Sequence, residues 1–422
     1  MSSARLLGFV AFMSAGAGCA SAEVVPAATH TTAATIEAPA KKEAAVPPLK
    51  RDAALAGNEH KVSMLEGRIV TKLHAVETPK VETHASPTKG ILYTTIQAKL
   101  GEGQTVYCTA FDERLFPASL AAADLRGEHD WGDDGIEKSD TVAKTTTEVT
   151  ALDVSVVGGR PVLSARGSVH DEAGTLVADR KVIVTSSAAF TLACSDRTVG
   201  FDKRFHAFAS EVLGSLTLDP PPSPAPKRVV IYKMQSEGKT IGYYELVTYA
   251  EPKGGTKTFG TEIALDVSGG KINGVDTTAY AVANARGGES DIRLHNVVNN
   301  ETTVHVKAAR DAKGWSVKLG ADRLDVVSKR MSAKTGLTSL MMPGWMSRMQ
   351  AAATSKKAAP VKIPLVAVAE KPAVAVAKRQ ADGSVTYVEK GNETRATFDA
   401  DGLASWSTFG AKYDRIFAEG AR

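Results

Sequence analysis

The run Glu148-Val149-Thr150-Ala151-Leu152-Asp153-Val154-Ser155-Val156-Val157, the turn Gly158-Gly159, and the run Pro161-Val162-Leu163-Ser164-Ala165-Arg166-Gly167-Ser168-Val169 decide the fold class. Apolar and β-branched side chains recur along two stretches of strand length, and the glycine pair supplies backbone angles that a tight hairpin needs. A third run, residues 176–186, follows His170-Asp171-Glu172-Ala173-Gly174, which again has turn chemistry. Three strands joined in this way make an antiparallel meander.

The pattern extends in both directions. Residues 90–100 and 105–111 read as strands joined through Gly101-Glu102-Gly103, and residues 190–194 add a short one. Residues 117–144 interrupt them with an inserted helix over 118–125 and a polar loop. Phe201, Phe205, Phe208, Val212 and Leu213 then recur at helical spacing, which predicts a helix with one face for the sheet. Next comes Asp219-Pro220-Pro221-Pro222-Ser223-Pro224-Ala225-Pro226. Proline fixes its own backbone angle and lacks a donor, so this is an extended spacer at 219–226 and neither helix nor central strand.

Beyond it, strands are expected at 228–234, 240–249, 257–267, 277–283, 291–298, 302–308 and 315–319, and again at 384–388, 394–399 and 404–409. The expected fold is therefore mainly β with minor helices. It has two antiparallel-sheet domains, residues 84–218 and 227–422, built as curved sheets or half-barrels. A weak internal repeat links them: Glu148-Val149-Thr150-Ala151-Leu152-Asp153-Val154 parallels Glu262-Ile263-Ala264-Leu265-Asp266-Val267.

The N-terminus sets the expected address. Residues 1–22 read as a signal peptide, with Arg5, an apolar run over 6–13 and a small-residue region ending Ala20-Ser21-Ala22. Ala17-Gly18-Cys19 resembles the end of a bacterial lipobox, departing from it at Gly16. That resemblance implies acylation of Cys19 and a membrane-tethered lipoprotein; cleavage after Ala22 leaves a freely secreted or periplasmic chain instead. Residues 23–83 are rich in Ala, Thr, Pro, Lys and Glu and read as a disordered tether.

Three cysteines are present. Cys108 and Cys194 sit late in strand-like segments and are expected to form a disulfide in an oxidising compartment, two separately buried thiols being the alternative.

Lys+Arg 51 against Asp+Glu 47 gives a net charge of +4, and aromatics are only 6% of the chain. With no basic–aromatic stripe, this argues against a dedicated nucleic-acid binder. The densest ligand-like group is His129-Asp130-Trp131 with Asp133-Asp134, whose spacing matches no Ca²⁺ loop; no metal or cofactor is expected. His295 and His305 fall on neighbouring candidate strands. Gly-X-Ser-X-Gly is absent, and a cysteine nucleophile would need Cys108 or Cys194 free near His206 or another histidine. Leu340, Met341, Met342, Trp345 and Met346 form a methionine-rich apolar group, read either as a ligand or partner surface or as a short helix covering a sheet edge. Residues 351–381 read as a long exposed loop.

Tyr232, Gly238-Lys239, Gly242 and Tyr243 resemble the first hairpin of β-rich modules that precede transglutaminase-like domains in some exported bacterial proteins. The resemblance implies a non-catalytic β module. The expected function is therefore non-catalytic binding or assembly in the cell envelope. Sheet faces or an interdomain cleft would contact a protein, lipid or glycan partner, with membrane contact through the lipid anchor. A hydrolase is the second expectation, to be recognised by a polar cleft that joins a histidine to a carboxylate; a structural spacer is the third.

Overall fold

The computed structural model describes residues 55, 57–85, 91–127, 145–187, 189–221, 224–252, 254–268, 271–285, 288–320, 327–332, 342–354, 361–365, 373–389, 392–408 and 410–420. The N-terminal part contains β1 (Asn58–Met64), β2 (Ile69–Ala75), β3 (Lys80–Ala85), β4 (Leu92–Gly101), β5 (Gln104–Phe111), α1 (Pro117–Arg126), β6 (Thr146–Val157), β7 (Arg160–His170), β8 (Leu176–Ser186), β9 (Thr191–Asp196), α2 (Asp202–Gly214) and β10 (Thr217–Leu218). Strands β3 to β9 form one antiparallel sheet in the order β3-β4-β5-β9-β8-β7-β6, and β1, β2 and β10 form a small second sheet.

The large sheet is a middle layer, and its alternation shows why. Ile183, Leu192 and Cys194 point to one face and pack with Phe205, Phe208 and Val212 of α2 and with Leu65, Ile69 and Leu73 of the small sheet. Their neighbours Val182, Val184 and Ala193 point the other way, onto α1. Strand β9 is accordingly buried along its whole length. Cys108 and Cys194 are register partners on adjacent strands and are joined by a disulfide within the α2-side core. At the end of that face Lys181 is wholly buried, 3.1 Å from Asp196 and 3.6 Å from Asp179, and its ammonium donates to the Thr198 carbonyl at 2.6 Å. Arg166 donates two hydrogen bonds to Asp179 and Gln104 donates one to Asp196, so the buried charges are mutually compensated.

The C-terminal part runs through β11 (Arg228–Ser236), β12 (Lys239–Ala250), β13 (Thr256–Ser268), β14 (Lys271–Ala283), β15 (Glu289–Val298), β16 (Glu301–Asp311), β17 (Gly314–Gly320) and β18 (Val327–Met331). After α3 (Pro343–Thr354) come β19 (Val361–Leu365), β20 (Ala373–Arg379), β21 (Val385–Glu389), β22 (Asn392–Asp399), β23 (Gly402–Thr408) and β24 (Ala411–Gly420). They make a 14-stranded sheet in which β11 lies beside β24, with β18 and β19 at its two ends. Strands from both halves converge on one cluster: Tyr232, Tyr244 and Ala281 meet Tyr387, Trp406 and Tyr413 around Met342, Trp345 and Met349. The sheet therefore curves around α3. Trp406 stacks on Tyr413 with ring centroids 4.2 Å apart, and Glu289 accepts the Gly344 N–H at 3.0 Å, capping α3 from β15.

Several expectations need correction. The tether expected over 23–83 does not hold for residues 58–85, which form β1, a 3-10 turn at Leu65–Gly67, β2 and β3. Val62, Met64, Ile69, Leu73 and Ala75 alternate with polar residues and bury under α2, which offsets the ordering cost that composition alone suggested was unmet. Domain 1 thus begins well before residue 84. Residues 351–381 are no single exposed loop, since α3 continues to Thr354 and β19 and β20 follow. Met342 and Trp345 are buried core residues and offer no partner surface; Met346 packs beside them half-buried. The two repeat segments lie in unlike places, β6 ending its sheet and β13 inside its own, so their likeness is one of strand pattern.

Glu262 on β13 is a carboxyl inside the aromatic core, accepting the Tyr413 hydroxyl at 3.4 Å. Burial pushes it up to about 7, with the Tyr413 hydrogen bond opposing. Its folded value lies above the ordinary one, so the unfolded chain ionises first as pH rises. The stability contributed by the protonated carboxyl is full below about pH 4 and is lost through about pH 7. Glu262→Gln should match the parent in thermal midpoint near pH 4 and exceed it near pH 8; an equal offset at both pH values would contradict this. Joining residues 86 apart in sequence, the disulfide restricts a long loop. Replacing both Cys108 and Cys194 by alanine should lower unfolding free energy by about 2–5 kcal/mol in denaturant titration.

Candidate functional site: the seam and groove between the domains

Helix α1 joins the two domains. Pro117 opens it, and Phe116 before it offers no side-chain cap. The missing acceptor comes from the other domain: Asp276 on β14 accepts the N–H groups of Ala118 and Ser119 at 2.9 and 3.0 Å and the Ser119 hydroxyl at 2.8 Å. These donors are the orphans every helix start leaves, and the carboxylate also meets the positive end of the helix dipole. Two residues earlier on the same face, Gly274 has no side chain; a Cβ there would fall 2.3 Å from the Ala118 carbonyl carbon. The strand can therefore carry the helix end directly. At the far end of α1, Arg126 donates to the Ile272 carbonyl at 2.6 Å.

Ala118, Ala121, Ala122 and Leu125 fill the space between Leu163, Val182 and Val184 on one side and Tyr243, Ile263 and Ile272 on the other. Small side chains suit a helix pressed between two sheets. Arg114 pairs with buried Glu245 at 3.4 Å, and Lys233 bonds Asp153 at 2.5 Å. Burial raises the pKa of Glu245, with Arg114 opposing, and pushes Asp276 up to about 6 against its hydrogen bonds from Ala118 and Ser119. The two bodies expected to be separated by the proline spacer thus share one continuous core.

Where the sheets diverge from this seam they leave a groove of about 920 Å³. One wall is Val149, Thr150, Ala151 and Leu152 of β6. The other is Leu265, Asp266, Val267 and Ser268 of β13, and the β11–β12 hairpin closes it with Glu237, Lys239 and Ile241. A smaller pocket of about 340 Å³, lined by Glu393, Ser407 and Lys412, lies past the same hairpin turn and shares Glu237 and Gly410. The larger groove offers hydroxyls, carboxylates, an ammonium and apolar patches, which is the chemistry of recognition.

The residues singled out from sequence fall elsewhere. Cys19, Leu340, Met341 and the group from His129 to Asp134 lie outside the described residues. Cys108 and Cys194 are consumed by their bridge, and Ser195 is buried within β9. His295 and His305 are register partners, and burial together with His305 lowers the His295 pKa, but neither lines the groove. His74 lies 2.5 Å from Glu211, which also accepts the His74 backbone N–H. That histidine–carboxylate pair ties α2 to β2, away from the groove.

Sequence reasoning missed Asp276 and Gly274. Their signal was present: a helix opening on proline without a preceding Ser, Thr, Asp or Asn calls for an acceptor from outside. Only the fold says which carboxylate answers. Asp276→Ala should cost about 1–2 kcal/mol and expose the α1 amides to faster hydrogen exchange. Unchanged exchange at residues 118 and 119 would show that the cap does not hold the helix.

No protein-family model matches this chain. No curated protein sequence matches it either. Among solved structures it is similar to a beta-barrel-like protein of a domain of unknown function from Brucella abortus, at 11% identity and TM-score 0.35, covering 47% of this chain and 98% of that one. It is also similar to the cyanobacterial PsbP protein (CyanoP) of Synechocystis sp. PCC 6803, at 8% identity and TM-score 0.26, covering 40% of this chain and 99% of that one. Both likenesses are distant.

Proposed function

We propose that this protein is a non-catalytic binding or assembly factor of the bacterial cell envelope, exported and tethered through an acylated Cys19, and that its ligand site is the groove between the domains. The observation that supports this reading is the groove itself, about 920 Å³ with walls from two domains locked together by α1. A cleft at a domain junction with fixed walls is where ligands are commonly held. The lining pairs apolar Val149, Leu152, Ile241 and Val267 with the polar Thr240, Asp266 and Ser268, so it can desolvate a ligand and orient it. The tether reading rests on Ala17-Gly18-Cys19 and on the preceding apolar run.

The test is site-specific photo-crosslinking in cells. A photoreactive residue at exposed Thr150 should give a discrete adduct that Val267→Arg abolishes, while the same residue at Glu172, in the β7–β8 turn, should give none. Adducts equal at both positions, or none at Thr150, would remove the groove as the ligand site. Intact mass of the same purified chain should show a diacyl or triacyl group on Cys19; a chain beginning at Glu23 without it would end the lipoprotein reading.

A further inference from the structure

We propose that the occupant of the groove is an extended, lysine- or arginine-bearing polypeptide segment that adds as a strand along the free edge of β6; this rests on the groove being the ligand site.

The edge supplies the first argument. Strand β6 ends the seven-stranded sheet and pairs only with β7 among the described residues. No described backbone–backbone hydrogen bond leaves its other side. In an antiparallel ladder alternate residues turn their N–H and C=O groups outward, so a row of donors and acceptors faces the groove. Edge strands are ordinarily shielded by shortness, charge, proline, a bulge or a covering element. Strand β6 carries Glu148 and Asp153, and Lys233 of β11 reaches Asp153 in its second half, which leaves the first half open at the groove. The strand runs for 12 residues, Thr146–Val157, with neither lysine nor proline. Its register shifts between Val149 and Ala151, at the groove wall. Such bulges bend a strand and re-aim its side chains beside functional sites.

Shape and charge supply the second. The wall from Val149 to Leu152 runs for about 10 Å at ~3.3 Å per residue, and the groove of about 920 Å³ lies beside it. Val149 and Leu152 on one wall and Val267 on the other offer apolar contacts to side chains of an added strand, Val267 being 48% exposed. Glu237 and Asp266 line the groove as carboxylates, and β6 adds Glu148 beside it, its Asp153 being already paired with Lys233. Lys239 is the cation that lines it among the described residues. A basic segment meets that balance and an acidic one is repelled. A glycan or an acyl chain would leave the periodic row of backbone groups on β6 unmatched.

The probe is a fluorescein-labelled peptide of about ten residues, alternating valine with lysine, titrated with the full chain and followed by anisotropy. It should bind, weaken as salt rises, and bind about tenfold or more weakly after Ala151→Arg or Val267→Arg. The same peptide N-methylated at alternate amides should lose binding by a similar factor, because it keeps charge and side chains but cannot complete a ladder. A valine–glutamate peptide should not bind. Equal binding of the N-methylated peptide would overturn the added strand, and equal binding of the acidic one would overturn the basic preference. Failure of every peptide while Thr150 still crosslinks in cells would replace the polypeptide by a glycan or lipid and leave the groove standing. Failure of both would remove groove and strand together.

Discussion

One contact holds the two halves of this molecule in register: the Asp276 carboxylate against the first turn of α1. The helix belongs to one domain and its cap to the other, so the first domain does not satisfy the start of its own helix without its neighbour. Gly274 lets the helix end approach the strand, and the alanines of α1 let both sheets close on it. The same device appears at α3, where Glu289 takes the Gly344 amide. In both cases a helix that opens on proline is held at its positive end by a carboxylate from the 14-stranded sheet.

From that seam the layers follow. The seven-stranded sheet is covered by α2 and the small sheet on one face and by α1 and the second domain on the other. A sheet buried on both faces needs apolar residues at successive positions, which is why β9 shows no exposed residue. The disulfide and the compensated Lys181 cluster lie on the α2 side, so the covalent and ionic fastenings are on the face away from the domain contact. The 14-stranded sheet solves its own burial differently, by wrapping its inner face around Trp345 and the neighbouring methionines. The groove is the remainder: the two sheets meet at α1, then part, leaving the end of β13 opposite β6, which pairs only with β7 among the described residues.

How much of this was legible varies with the range of the interaction. The hairpin at Gly158-Gly159 and the helix carrying Phe205, Phe208 and Val212 are local patterns and stand where the sequence places them. The pairing of Cys108 with Cys194 was legible too, because two strand-borne cysteines in one domain have few other partners. Residues 58–75 were misread: the exposed faces of β1 and β2 carry Lys, Glu, His and Thr, and that half of the alternation looks like a tether until a partner for the buried half is known. Met342 and Trp345 were ambiguous for the opposite reason, since an apolar group reads alike whether it faces a ligand or a core.

The sequence by itself determined the β-dominated class, the antiparallel turns, the two flanking helices and the disulfide partners, because each depends on the period of side chains over a few residues or on one scarce residue type. Only the tertiary structure decided that the proline spacer joins domains sharing a core, that Asp276 caps a helix more than 150 residues away, and that β6 is left as an edge beside β13. Those outcomes depend on which surfaces meet. A strand carries the same alternating pattern whether it lies inside a sheet or ends it, and a carboxylate reads alike whether it faces water or the start of a distant helix.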